Sequence, residues 1–481
     1  MPRRPRKQII YGPPGTGKST YLMSVMEKEL SLGIPKNKIA FVTFTQQGAE
    51  VGMKYAIHKF GGDPSQYPYF RTLHSLAFRE LGMRREEIMT KKHYKDFSLK
   101  MGMHFLGFYT EEGVHGDDKY LFFDQLVRNN PKEGLKYKDE LNPYIVNFVS
   151  TNYRKYKKVN SIVDFTDLLE AFIAQNIALD IDVAIIDEAQ DLTTLQWRMV
   201  NIATRNAKRI YIAGDDDQAI FSWAGADIDY FLNLSSDLPP IYLNHSWRLP
   251  DSVLEVAEKV VNQIETRVNK QYTSRGVSGY VFFVNSIEEV FMESNKSYLF
   301  LVRNSKYISI VRKFLERRGI PYTLNGEALL KLSDIKTIRQ WEELRNSSTE
   351  LPEFLTPIGK NLNKNANIAD PWYNAFDWPE ETIDYYISFL QGMAEKTWDS
   401  IEEYVRKHSG KNTKIRVSTI HRAKGTEADN VVVMLDITTR THKEYMRNSD
   451  NENRVLYVGV TRAREKLILV NTTSKWGYKI F

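Results

Sequence analysis

The stretch GPPGTGKS at residues 12 to 19 fits the spacing G-x-x-x-x-G-K-[ST], with the apolar run KQIIYG before it and the helical pattern TYLMSVMEKEL after it. Strand, glycine-rich turn and helix start form the context this spacing requires, because backbone N–H groups then converge on an anion at a helix N-terminus. Gly12, Pro13, Pro14, Gly15, Thr16 and Gly17 would cradle phosphate, Lys18 would reach the β and γ oxygens, and the Ser19 hydroxyl, followed by Thr20, would ligate magnesium. VAIIDEAQD at 183 to 191 is an apolar run ending in paired carboxylates, at the strand edge where α/β sheets present their ligands. Asp187 would hold magnesium through water, and Glu188 would act as general base on the attacking water. A carboxylate pair after a strand also occurs as a solvated turn; the phosphate loop in the same chain favours the chemical role.

A third segment, GDDDQAIFSWAGA at 214 to 226, sets three acids and Gln218 a few residues before Phe221 and Trp223. Polar groups near a phosphate site and aromatics on which bases can stack, at about 1 to 3 kcal/mol per base, would then share one short segment. The same residues also read as a strand, an acidic turn and two core aromatics. Hydrolysis further needs positive charge on the γ-phosphate in the transition state. Arg248 in LNHSWRLP and Arg462 in YVGVTRAREKL are the candidates, and both fall in the other half of the chain, so a second domain would complete the site. For nucleic acid the chain offers Phe44, His74, Phe221 and Trp223, with Thr419 and His421 in VSTIHRAKG; any one aromatic taken singly reads more readily as core. NYRKYKK at 152 to 158 interleaves basic and aromatic residues and fits either a face that tracks a phosphate backbone or a solvated helix.

These groups need parallel strands to carry them. Short apolar runs alternate with helical segments: KQIIYG, KIAFVTFT, VAIIDEA and RIYIAGDD, then PIYLNHS, GYVFFV, SYLFLVR, IRVSTIH, NVVVMLD and KLILVNT. That rhythm predicts an α/β protein with two parallel sheets covered on both faces, divided near residue 243. Residues 84–160 and 346–410 break it and are expected to be insertions, the first mainly helical. A chain of 481 residues exceeds one core and should form several domains. The absence of cysteine excludes disulfide frameworks and cysteine-based metal sites, and is compatible with a reducing compartment. The basic start MPRRPRK leads into no apolar signal segment, and no run approaches a membrane span. A net charge of +6 suits a polyanionic partner only if it is clustered.

Taken in order, GPPGTGKS, FVTFTQQGAE, RTLHSLAF, DFTDLLEAF, IIDEAQDL, GDDDQAIFSWAGA, LNHSWRLPDSV, FLVRNSKYISIVRKFLERRGIPYTLNGE, STIHRAKGTEADNVVV and LYVGVTRAREKL resemble the UvrD/Rep/PcrA-like superfamily 1A helicases over almost the whole chain. The resemblance implies two RecA-like P-loop NTPase domains: 1A at 1–83 and 161–243, and 2A at 244–345 and 411–481. It implies helical insertions 1B at 84–160 and a reduced 2B at 346–410. It makes Lys18, Glu188, Gln218, Arg248 and Arg462 the catalytic set, with Gln218 sensing the γ-phosphate and the arginines acting as paired fingers. Ser19 and Asp187 hold magnesium, Trp247 stacks on adenine and Glu427 contacts ribose. Phe44, His74, Phe221, Trp223, Thr419 and His421 touch single-stranded DNA, along which ATP-driven movement runs 3′ to 5′. A cytoplasmic enzyme of a bacterial or phage-infected cell, working on single strands and their junctions with duplex and beside replication or repair proteins, is the implied setting.

The chain departs from the family at four places. Only eleven residues precede Gly12, fewer than the family's adenine-reading glutamine motif needs; Thr20 and Ala224 stand where arginine is usual; and the insertion at 346–410 is short. With only NTTSKWGYKIF after the last strand run, no appended nuclease is expected. Besides unwinding, a translocase that strips proteins from DNA, a nucleotide-switched DNA-binding module and a 5′ to 3′ helicase of the 1B branch are the alternative readings.

Overall fold

The computed structural model describes residues 5–114, 116–137, 140–318, 320, 322–328, 339 and 414–480. The expected insertion at 346–410 lies outside the described residues. The first sheet contains β1 (Arg6–Tyr11), β2 (Ile39–Thr43), β3 (Phe70–Thr72), β4 (Val183–Ile186), β5 (Arg209–Gly214) and β6 (Ile241–Tyr242), in the order β3-β2-β4-β5-β1-β6. Every pairing in it is parallel. Strands such as β2 and β4 are buried at each position, which is why they read as continuous apolar runs. Their alternate residues serve two cores. Ile9, Tyr11, Ala40, Val42, Ala184, Ile186, Ile210 and Ile212 face one layer of helices. Ile10, Ile39, Phe41, Val183, Ile185, Tyr211 and Ala213 face the other. The two-residue period of a strand thus produces a three-layer arrangement with both sheet faces covered.

Between β3 and β4 the chain forms helices Lys91–Met101, Asp118–Asn129, Pro131–Leu135 and Pro143–Val159. These close on a core of their own that includes Phe97, Phe105, Tyr120, Leu121, Val149, Tyr153 and Tyr156. NYRKYKK is therefore not an interleaved basic and aromatic face. Tyr153, Tyr156 and Lys157 recur at helical spacing on the buried side, and the Lys157 ammonium lies 2.6 Å from both Asp164 Oδ2 and Asp167 Oδ2.

The second sheet has the order β10-β9-β11-β8-β12-β13-β7, with β7 Tyr280–Val284, β8 Tyr298–Val302, β9 Thr323–Leu324, β10 Glu327–Ala328, β11 Ile415–Thr419, β12 Ala428–Met434 and β13 Ala463–Val470. β9, β11, β8 and β12 run parallel, and β10 pairs antiparallel with β9. The amphipathic helix Ile308–Arg317 packs Val311, Phe314 and Leu315 against Tyr298, Phe300, Val302, Val417 and Val432. The chain is thus α/β with two sheets that are wholly or largely parallel. Its compact units are 1–281 with 437–466 and 478–481, and 282–436 with 467–477. Residues 244–281 and 437–466 therefore pack with the first sheet, past the division read at residue 243.

Candidate nucleotide site and its aromatic neighbours

Register brings the chemistry together. β4, β5 and β1 are adjacent, Ile186 is level with Ile212 and Tyr11 with Gly214, so Gly12, Asp187 and Asp215 leave one edge of the sheet together. The loop after β1 turns through left-handed backbone at Gly15 (φ 73°) and Gly17 (φ 77°), conformations that favour glycine, and enters the helix Lys18–Ser31. Gly12 N–H donates to Gly214 O at 3.0 Å, which ties the loop's first residue to β5.

Lys18 Nζ lies 2.8 Å from Glu188 Oε1. Burial opposes the Lys18 charge, but Glu188 and Asp187 outweigh it and raise its pKa. Burial pushes the Asp187 carboxyl up to about 6, against the pull of Lys18 and a smaller lowering effect of the neighbouring Ser19 hydroxyl. Glu188 occupies left-handed backbone at φ 54°, a conformation costing about 1–2 kcal/mol for a non-glycine residue. Its carboxylate is held from both sides, by Lys18 and by Gln190 Nε2 at 2.5 Å. Gln190, fully buried, also accepts from Asp215 N–H at 3.0 Å and so joins the ends of β4 and β5. It stands within IIDEAQD, but only the geometry gives it this bridging part.

Arg248 and Arg462 lie in the same compact unit as the phosphate loop rather than in a second one. The segment Ser246–Arg248 sits on the loop: Ser246 Oγ donates to Pro14 O at 2.8 Å and Trp247 N–H to Gly15 O at 2.8 Å. A Cβ on Gly15 would stand 2.4 Å from the Arg248 Cβ, so glycine is required there on steric grounds too. Arg248 Nη1 donates to Thr461 O at 3.3 Å, and Arg462 Nη2 donates to Gln218 Oε1 at 2.9 Å. Gln218 Nε2 in turn donates to Asp215 Oδ2 at 2.6 Å. Trp247 is 71% exposed beside Gly17, its ring edge-on to His245, with a face open to a planar ligand.

The acids of the third segment do not present polarity to phosphate. Asp215, Asp216 and Asp217 are fully buried, and their oxygens lie close enough together to suggest a cation site. The Lys270 ammonium already occupies that position, at 3.1 Å from Asp215 Oδ1 and 2.9 Å from Asp217 Oδ2, and it also pairs with Asp216. Arg267 clamps Asp217 with two bonds of 2.8 and 2.7 Å, and Arg454 Nε donates to Asp216 O at 3.0 Å. Burial pushes the Asp216 carboxyl up to about 6, opposed by Lys270. Gln218 is thus the group of this segment that remains directed at Arg462.

Phe221 stacks on Phe44, ring centroids 5.4 Å apart, while Trp223 is partly buried and its Nε1 finds no acceptor among the described residues. His74 meets Phe165 edge-on at 5.6 Å, and Phe165 is 60% exposed. DFTDLLEAF was legible as a motif, yet Phe165 was not singled out. Burial lowers the His74 pKa to about 4 against a smaller opposing effect of Asp164, so its ring is neutral at pH 7. Thr419, the last residue of β11, and His421, in the turn after it, are buried in the second unit. Glu427 stands just before β12, and its carbonyl accepts from Arg416.

Residues 4–239 match the UvrD/REP helicase N-terminal domain and residues 414–470 the UvrD-like helicase C-terminal domain, together more than half of the chain. The chain is 25% identical over 240 residues to the ATP-dependent DNA helicase Rep of Buchnera aphidicola subsp. Baizongia pistaciae, covering 44% of this chain and 36% of that protein. It is 26% identical over 348 residues to a probable DNA helicase II homolog of Mycoplasma capricolum, covering 66% and 45%. It is 23% identical over 395 residues to the ATP-dependent DNA helicase PcrA of Staphylococcus epidermidis, covering 71% and 52%. The matches thus span about half or less of the length of these relatives. With both family domains present and in order along the sequence, the chain belongs to the UvrD/REP helicase family.

Proposed function

We propose that the protein is an ATP-dependent DNA helicase or translocase that moves 3′ to 5′ on single-stranded DNA. One observation carries the reading: Gln218 is bonded to the arginine finger candidate Arg462, and three residues on Phe221 stacks with Phe44. A change at the nucleotide is therefore felt within one turn of chain by an aromatic pair suited to bases. Lys18 trades its pairing with Glu188 for phosphate oxygens, which frees Glu188 to take a proton from the attacking water. Arg248 and Arg462 stabilise charge on the γ-phosphate, and Gln218 reports its presence to the segment that follows. Trp247 covers the adenine; the ribose contact that the family resemblance gives to Glu427 belongs to the second unit.

Ser19 and Asp187 fit magnesium. Their hydroxyl and carboxylate are hard oxygen donors that neighbour each other at the loop's helix start. When bound, that ion neutralises charge between the β- and γ-phosphates. Phe44, His74, Phe221 and Trp223 in the first unit are proposed contacts of the single strand, and so, separately, are Thr419 and His421 in the second. The setting is cytoplasmic, at junctions of single strand and duplex with replication or repair proteins nearby; among the described residues no helix is long and apolar enough to cross a membrane.

Unwinding measured on duplexes with 3′ or 5′ tails, beside a Glu188→Gln control, tests the reading. Strand separation from 3′ tails that Glu188→Gln abolishes is expected; exclusive loading on 5′ tails overturns the polarity. ATP turnover on 3′ tails without strand separation would favour the protein-displacing translocase.

A further inference from the structure

Ala224 takes the place where the family resemblance expects an arginine, yet the segment around it is anchored from another direction. Asn130 Nδ2 donates to Gly225 O at 3.1 Å, and the Asn130 side chain is buried. Gly225 turns through φ 97°, and a Cβ there would stand 3.5 Å from Asn129 Cβ, Asn130 Cβ and Leu126 Cδ1, so helix Asp118–Asn129 ends directly against this turn. Asn129 spans two further pieces. Its Nδ2 donates to Thr166 Oγ1 at 3.2 Å and its Oδ1 accepts from Thr193 Oγ1 at 3.5 Å. Thr193 bridges to Ala226 in the segment itself, and Asp227 N–H donates to Leu192 O at 2.9 Å. Arg128 fastens the same point to helix Phe165–Ala174, bonding Glu170 at 3.0 and 2.7 Å and pairing with Asp164 and Asp167. Helix Asp118–Asn129, which carries Arg128 and Asn129 and is capped by Asn130, packs Tyr120 and Leu121 into the core of the insertion.

We propose that Asn129 and Asn130 are positioning residues that couple the helical insertion to segment 221–226, fixing Phe221 and Trp223 so that a bound single strand accelerates ATP turnover. This rests on the helicase reading above. The residues touch neither the phosphate loop nor Glu188, so their loss acts on coupling and leaves basal chemistry in place.

The test uses the full chain with oligo(dT). Asn130→Ser keeps an oxygen that can cap helix Pro131–Leu135, as Asn130 Oδ1 does for Glu133 N–H, but cannot reach Gly225 O. The ratio of DNA-stimulated to basal ATP turnover is expected to fall about five- to tenfold, the scale of one lost buried hydrogen bond, while basal kcat and the KM for ATP stay within about twofold. Asn129→Ala should act in the same direction, and it gives the answer if Asn130→Ser fails to fold. An unchanged ratio, or stimulated and basal rates falling in parallel as a structural role would make them, overturns the proposal. Absence of stimulation by oligo(dT) in the unaltered chain overturns the helicase reading itself, a distinct result that needs no variant.

Discussion

Two carboxylate and lysine partners at the loop set what single substitutions should do. Glu188 is at once the proposed base and the counter-ion of Lys18. Glu188→Gln should therefore lower DNA-stimulated kcat by about 10²- to 10⁴-fold while ATP binding, read by nucleotide titration, persists because Lys18 is released for phosphate. Weakened ATP binding in parallel with kcat would contradict this division. His74 gives a pH signature. Its folded pKa of about 4 lies below the ordinary histidine value of 6.5, so between those values the unfolded chain binds a proton that the folded chain refuses. Stability is then lost as pH falls through that window, by at most about 1.4 kcal/mol per unit. Urea unfolding from pH 7 to 4 should show a slope that His74→Gln flattens; identical slopes would refute it. Lys18, Ser19, Asp187 and Glu188 were legible because loop and strand-end chemistry is local in sequence. Lys270 was not, since its partners lie more than fifty residues away and nothing in TRVNK advertises them.

Segment 214–226 behaves as an element whose first half is locked and whose second half carries the aromatics. Three buried carboxylates share Lys270 and Arg267, so Lys270→Met leaves charge uncompensated in the core and should destabilise the fold by about 3 kcal/mol or more. Urea titration reads this directly; a loss below about 1 kcal/mol would mean that Arg267 and Arg454 suffice. Trp223→Ala removes a proposed stacking surface worth about 1–3 kcal/mol, so the oligo(dT) concentration for half-maximal stimulation should rise about tenfold or more. Loss of basal turnover to the same extent would contradict a role on the DNA side. The sequence signalled this element's composition but not its wiring. In NYRKYKK composition misled, because helical period, not proximity in sequence, decides that Tyr153, Tyr156 and Lys157 point inward.

At the scale of the molecule, the alternation of apolar runs and helices was enough to foresee two sheets. Strands buried on both faces cannot hide their composition, and only short pieces such as β3, β9 and β10 escaped. The packing of residues 244–281 and 437–466 was not legible, because it depends on long-range contacts such as Glu265 N–H to Asp450 Oδ1 at 2.8 Å and Arg454 to Asp216 O. Those contacts accompany the placement of Arg248 against the phosphate loop and of Arg462 on Gln218 within one compact unit. In the proposed function, ATP turnover answers to single-stranded DNA through this unit. ATP hydrolysis measured with and without saturating oligo(dT) tests that most directly. At least a tenfold rise, absent in Lys18→Ala, is the result predicted, whereas turnover that stays below about one per minute with DNA present would contradict it.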